Sequence, residues 1–292
     1  MATLLCEYMY STAPQFHLQD FSRVRSAGID GCRGGWIAVS VRKASNTYTL
    51  EVETLRVFGQ DDFEALVEVL EGNDLVLIDI PIGLPDRGER LSDFAVRKVL
   101  GPRGRSIFPI PVRDAVYAET YEEACRINAE ITGKKISRQT WNILPKIRTI
   151  DTFLRSGKDY RHTLRESSPE YCFALTTGRG DEFPRQFFPA HSKRSREGMR
   201  ERSDVLDAYI RNWKNRSADV LSLYPGEIIA ADDLTDAGIL AVSAFYASVG
   251  RRIGIPPKAD YDGFGLPVQA VFGLPEYFVP PADMEIEDRK NE

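Results

Sequence analysis

Four aspartates stand where neither propensity nor burial favours an acid, and together they point to carboxylate chemistry. Asp30 ends a short apolar segment and is followed by the glycine-rich turn Gly31-Cys32-Arg33-Gly34-Gly35. Asp79 interrupts the otherwise apolar run Leu75-Val76-Leu77-Ile78-Asp79-Ile80. An ionised carboxylate in such a run is costly unless it is hydrogen-bonded, neutralised or bound to a cation. Asp233 and Asp236 are three residues apart and so share one face of a helix, which Leu240 and Ala244 continue. Each also has a structural alternative. Asp30 suits a turn, Asp79 suits a cap for the Pro81 turn, and Asp232, Asp233 and Asp236 suit the positive end of a helix. Taken together, two strand carboxylates and an Asp-x-x-Asp pair are what a two-cation site needs. Magnesium or manganese takes oxygen ligands, and two such ions about 4 Å apart stabilise the attacking and leaving oxygens of a phosphodiester. Water would be the nucleophile, which fits a chain with three histidines and no Gly-x-Ser-x-Gly turn.

The elements that must position these acids can be read from periodicity. Residues 24–30, 36–42 and 47–58 read as strands joined by short links, hence an antiparallel meander. Residues 61–71 have helical spacing closed by Gly72, and 75–80 reads as a strand buried on both faces. Hairpins, a helix and a buried strand predict a mixed α/β sheet flanked by helices. From residue 81 to about 160 the chain becomes proline-rich, with helices expected over 90–100, 121–132 and 137–154. This reads as a helical insertion after the fourth strand, over about 86–160. Residues 161–173 are expected to return to the sheet, 200–213 to form an amphipathic helix, and 231–250 to form the clearest helix of the chain. The domain division is a lead segment 1–26, a single domain 27–275, and an acidic tail 276–292.

The motifs Gly28-Ile29-Asp30-Gly31-Cys32-Arg33-Gly34-Gly35-Trp36, Leu77-Ile78-Asp79-Ile80-Pro81-Ile82-Gly83-Leu84-Pro85 and Asp232-Asp233-x-x-Asp236-Ala237 resemble the family called domain of unknown function 429. The similarity covers roughly residues 27–275. That family is regarded as predicted nucleases of the ribonuclease H-like fold. The resemblance therefore implies that fold, with Asp30, Asp79, Asp233 and Asp236 as catalytic metal ligands, and the helix pair is similar to that of Holliday-junction resolvases. Ser168-Pro169-Glu170 resembles a further family segment that usually begins with His, and Glu170 is an extra ligand candidate or a turn residue. Ala190-His191-Ser192-Lys193, followed by Gly198, is another such piece. His191 and Lys193 are candidates to contact a phosphate or assist a leaving group, or are simply solvated.

Arg97, Lys98, Arg103, Arg105 and Arg113 fall in a stretch without acids. Arginine forks bind phosphate bidentately, so Arg103 and Arg105, with Arg33 of the glycine turn, are phosphate-binding candidates, or this cluster pairs with the acidic site itself. A nucleic-acid or nucleotide partner follows, with a homodimer possible in principle. The whole chain of 292 residues carries 38 basic and 43 acidic side chains, a net charge of −5, which excludes a generally basic coat. Cys6, Cys32, Cys125 and Cys172 show no zinc-ligand spacing. The sequence has no secretory signal and no run of about 18 apolar residues, so the expectation is a cytoplasmic protein with no membrane partner. Two other classes compete. A strand-Asp-Gly hairpin also opens actin-like and sugar kinases, but a second Asp-Gly-Gly phosphate loop is missing after Asp79. A non-catalytic module binding nucleic acid or protein on the same scaffold is the other.

Overall fold

The structure is a computed structural model describing residues 21–45, 49–177 and 189–275, with backbone alone at Arg105 and Ser106. Strands β1 (Arg25–Cys32), β2 (Gly35–Lys43) and β3 (Leu50–Phe58) form the expected antiparallel meander. Helix α1 (Phe63–Glu71) starts on Asp62, whose carboxylate accepts the Ala65 N–H. Strand β4 (Leu75–Ile78) then lies parallel to β1. Between it and β5 (Leu164–Glu166) come α2 (Leu91–Leu100), a 3-10 segment Gly101–Ser106, α3 (Arg113–Val116), α4 (Tyr121–Thr132) and α5 (Arg138–Arg155). After β5 follow α6 (Pro169–Thr177), α7 (Arg196–Tyr209), α8 (Trp213–Leu223), α9 (Ala231–Ser248) and the hairpin β6 (Arg252–Tyr261) and β7 (Pro267–Gly273). The main sheet is mixed, in the order β3-β2-β1-β4-β5, with helices on both faces.

Strand alternation separates those faces. Ile37, Val39, Leu75 and Leu77 pack with Leu240, Ala241 and Ala244 of α9. Ala27, Ile29, Val76 and Ile78 pack with Leu66 and Leu70 of α1 and with Leu144, Ile147 and Ile150 of α5. Helix α9 is buried on all sides because the hairpin and Trp213 cover the flank turned away from the sheet. Burying each such Leu or Ile contributes about 1.5–3 kcal/mol.

The close seat of α9 on β1 depends on Gly28. A Cβ there would lie 2.1 Å from the Ala237 carbonyl oxygen and 2.4 Å from the Ala241 nitrogen, both backbone atoms. Gly28→Ala must therefore lift the helix from the strand. The expected cost is about 3 kcal/mol or more, checked by urea unfolding.

Two expectations need correction. Only Leu164–Glu166 of residues 161–173 is strand; Pro169 begins a helix, where its missing N–H costs nothing, and the apolar run after it is a buried helix. The helix expected over 200–213 is Arg196–Tyr209, and a second helix follows a break at Asn212, whose φ is 58°. The β6–β7 hairpin was not foreseen in the periodicity, because Pro256 and Pro257 interrupt its first strand. Strand β3 is described from Leu50, and residues 46–48 lie outside the described residues, as do Cys6 and the acidic tail. Among the described residues no helix is long and apolar enough to cross a membrane.

Candidate functional site

Asp30 and Asp79 are brought together by the pairing of β1 with β4. Ile29 faces Ile78 across the parallel ladder, and the Asp79 N–H donates to the Ile29 carbonyl at 3.1 Å. The next residue on each strand is therefore an aspartate, and both share the strand parity of Gly28 and Leu77, which face α9. Helix α9 runs antiparallel to β1: Ser248 meets Ser26 at 3.0 Å, while Ala237 meets Gly28. Its N-terminal turn, with Asp233 and Asp236, consequently lies over the strand ends that carry the other two acids. The glycine turn is fastened to the same corner, since the Gly34 N–H donates to the Ile228 carbonyl just before α9.

The electrostatics show one cluster. Burial, then the Asp79 and Asp236 charges, raise the Asp30 pKa well above the ordinary carboxylate range. Burial, with Asp232 and Glu170, pushes Asp236 up to about 6 against the pull of Lys193. Crowding by protein atoms and the Asp236 charge push Asp79 up to about 7. Asp79 nevertheless keeps an exposed surface, so water screens part of that push, whereas Asp30 and Asp236 are buried. The site is thus open at Asp79 and closed behind it. Burial raises Asp233 as well, but its Oδ2 accepts the Ala230 N–H at 2.9 Å, the helix-capping role that the sequence left open.

Two lysines enter this cluster. The Lys193 ammonium lies 2.6 Å from Asp236 Oδ2 and 4.0 Å from Asp232 Oδ2. Burial would lower its pKa, yet Asp236, Asp30 and Asp79 together raise it. Lys146 of α5 was missed in the sequence. It donates to the Gly35 carbonyl at 2.7 Å, lies 4.8 Å over the Trp36 ring and senses the charges of Asp30 and Asp233. Nothing in its own helix marks it out, since Gly35 and Trp36, which it touches, lie more than a hundred residues earlier.

The other candidates are placed differently. Arg202, itself buried, holds both Glu170 oxygens at 3.2 Å, and Arg103 lies 3.5 Å from the same carboxylate. Arg103 therefore pairs with the acidic end, one of the two outcomes open to it. Arg113 is also committed, to Asp151 at 2.6 Å and to Asp262. His191 is exposed and bonds Glu201 at 2.7 Å, and Arg33 is exposed on the glycine turn. The Arg105 side chain lies outside the described residues.

The segment after Asp79 is held rigidly by side chains remote in sequence. The Ile82 N–H donates to Glu166 at 2.8 Å, the Ile82 carbonyl accepts from Arg90 at 2.9 Å, and the Leu84 N–H donates to Asp262 at 3.0 Å. Gly83 takes φ 77°, and a Cβ there would press on Val268 at 2.7 Å. Arg90 is fully buried and also pairs with Asp93 at 3.0 Å and with Glu166. Arg90→Met leaves both carboxylates without that partner. Its expected cost is about 3–5 kcal/mol, with loosening of the Asp79 turn, read by denaturant unfolding and by faster amide exchange at Ile82. A cavity of about 190 Å³ between Leu84 and Asp262 lies beyond this turn and contains none of the four clustered aspartates.

Residues 28–261 match the family described as Protein of unknown function (DUF429). The chain belongs to that family. The matched DUF429 residues include all four aspartates, both lysines and the arginines around Glu170. No curated protein and no solved structure matches the chain.

Proposed function

We propose that this DUF429 chain is a divalent-metal-dependent phosphodiesterase of nuclease type on a ribonuclease H-like fold. The observation that carries the reading is the convergence of Asp30, Asp79 and Asp236 at adjacent strand and helix ends, with an ammonium ion-paired to the most buried of them. A structural group of acids would be spread over separate caps; these raise one another's pKa, which is unfavourable unless a cation is used there. The donors are hard oxygens, the type that magnesium or manganese takes, and the cluster already attracts one cation. Asp30, Asp79 and Asp236 would hold the ion, which when bound polarises a phosphoryl oxygen and makes water a stronger nucleophile. Lys146 steadies the glycine turn beside Asp30. Arg33, exposed on that turn, would orient a substrate phosphate. Arg202 and Arg103 keep Glu170 at the rim, where its carboxylate is satisfied by the protein.

One observation favours the non-catalytic binding module. Among the described residues no three His, Cys, Asp or Glu side chains are drawn together closely enough to share a metal ion as they stand. The experiment that separates the readings is cleavage of labelled RNA, single- and double-stranded DNA, hybrids, junctions and small dinucleotides with magnesium or manganese. Metal-dependent cleavage supports the hydrolase and names its substrate class. Tight binding of a polymer without cleavage, and without metal uptake by calorimetry, decides for the binding module.

A further inference from the structure

A buried arginine at the edge of the main sheet has no acid to pair with. Arg165 of β5 is 7% exposed, and its guanidinium donates to Gln269 Oε1 of β7 at 2.8 Å, a neutral partner. The other three buried arginines among the described residues each meet carboxylates: Arg90 has Asp93 and Glu166, Arg113 has Asp151 and Asp262, and Arg202 has Glu170. Glu166 is next to Arg165 in sequence, but strand alternation turns it to the opposite face of the sheet, where Arg90 and the Ile82 N–H hold it. Burial, then the charge of Arg252, pushes the Arg165 pKa down to about 10. An arginine buried beside a like charge is costly unless an anion joins it.

The β6–β7 hairpin is what brings Arg252 there. Gln269 Nε2 donates to the Pro256 carbonyl at 2.8 Å, and its amide lies over Gly254, where a Cβ would come within 2.2 Å of that nitrogen. Only a residue without a side chain leaves room for the amide that holds Arg165. Arg252 stands two residues before Gly254 and so shares its face of β6. Tyr261 pairs with Pro267, two residues before Gln269 and on the same face of β7, and Arg165 senses its phenol. Arg252 is exposed, and burial alone perturbs it, with no carboxylate charge acting on it. Arg165 pairs with Leu77 in the ladder, two residues short of Asp79, yet neither arginine is among the leading charges felt by Asp30, Asp79 or Asp236. The two arginines therefore form a group of their own.

We infer that Arg165 and Arg252, with Tyr261 beside them, form a phosphate-binding site where β5 meets the hairpin, separate from the aspartate cluster. Gln269 takes one N–H of Arg165 and leaves the rest of that guanidinium, and the fork of Arg252, for the anion. Donors arriving from two strands reach a tetrahedral anion from different sides, whereas a planar carboxylate is filled by a single fork. Two positive charges also match the charge of a phosphomonoester near neutral pH. The site is independent of the carboxylate–cation reading above.

The test is calorimetric titration of the full chain with inorganic phosphate at constant ionic strength, with acetate as the planar control and circular dichroism as the check on folding. The expected result is phosphate uptake by wild type, at least about tenfold weaker in R165M and in R252M, with a smaller loss in R252K, which keeps the charge without the fork. R252M alters an exposed residue and relieves the repulsion on Arg165, so it should melt no lower than wild type in chloride buffer, and it decides the matter if R165M does not fold. A nucleoside monophosphate and a short oligonucleotide without terminal phosphates separate the sources of the anion. Whichever of them shares the dependence on both arginines names the source as a phosphomonoester or a backbone diester, and if neither does, the ligand is inorganic phosphate itself. No phosphate uptake by wild type, uptake unchanged in R252M, or acetate bound as tightly as phosphate overturns the inference. A melting temperature several degrees lower in R252M also overturns it, because Arg252 would then serve the fold rather than an anion.

Discussion

Asp79→Asn is expected to reduce divalent-metal-dependent cleavage by on the order of 10³-fold while leaving the melting temperature unchanged or raised. The two effects have opposite signs because Asp79 is poorly placed for stability. Its carboxylate accepts no hydrogen bond among the described residues, and it faces the like charges of Asp30 and Asp236. Asparagine keeps the shape and removes the charge, so the repulsion on Asp30 falls while a cation loses its most accessible ligand. Such a trade between stability and activity is usual at a functional site. The capping alternative for Asp79 makes the contrary claim: an acid that stabilised the Pro81 turn would lower the melting temperature when replaced. Initial rates on the cleaved substrate and a calorimetric scan near pH 7.5 decide the matter. A stable variant with full activity would sink the catalytic role, and an unstable one would restore the cap. Asp236→Asn is a less clean probe, because Lys193 then loses its partner at 2.6 Å.

How far the site could be read from sequence depends on whether a residue's partner lies within its own element. Asp30 and Asp79 were legible because a charge in an apolar run is locally anomalous, although β4 ends at Ile78 and Asp79 follows it, and Asp236 because helical spacing set it at the head of a buried stripe. Lys193 was named as a phosphate contact, yet its ion pair with Asp236 spans 43 positions and no local pattern reports it. The basic run from Arg97 to Arg113 stayed open between phosphate binding and pairing with the acids for the same reason. Arg113 finds Asp151 and Asp262, and Arg103 finds Glu170, all outside the run. Fold followed the same rule. The meander, the parallel β4 and the buried α9 each carry a period or an apolar run of sufficient length. Strand β5 is three residues long, and the strand β6 contains two prolines and a register shift between Ile255 and Asp260, so neither leaves a period-two signature.

The carboxylate cluster also fixes the sign of the pH dependence of stability. Asp236 titrates near 6 in the folded chain and near 3.8 in its ordinary state, and Asp30 is displaced in the same direction. Below about pH 4 both folded and unfolded chains hold these protons, and no penalty arises. Between about 4 and 7 the unfolded chain has released protons that the folded chain still binds, at Asp236 and then at Asp79, so stability falls as pH rises through this window. About 1.4 kcal/mol accompanies each pKa unit, so Asp236 alone accounts for on the order of 2–3 kcal/mol between pH 4 and pH 7.5. Asp93, buried and also pushed up to about 6, adds to the same slope, but it lies with Arg90 and away from the aspartate cluster. Millimolar Mn2+ should therefore flatten the slope in part. It binds the deprotonated cluster and offsets the Asp30 and Asp236 contributions, while that of Asp93 persists. Urea unfolding at pH 5 and pH 7.5, with and without Mn2+, reads both effects. The expected outcome is a chain more stable at pH 5 than at pH 7.5 without the ion, and a smaller difference with it. A pH-independent stability would mean that these carboxylates are ionised without strain, and a slope that Mn2+ does not alter would mean that the cluster holds no divalent cation.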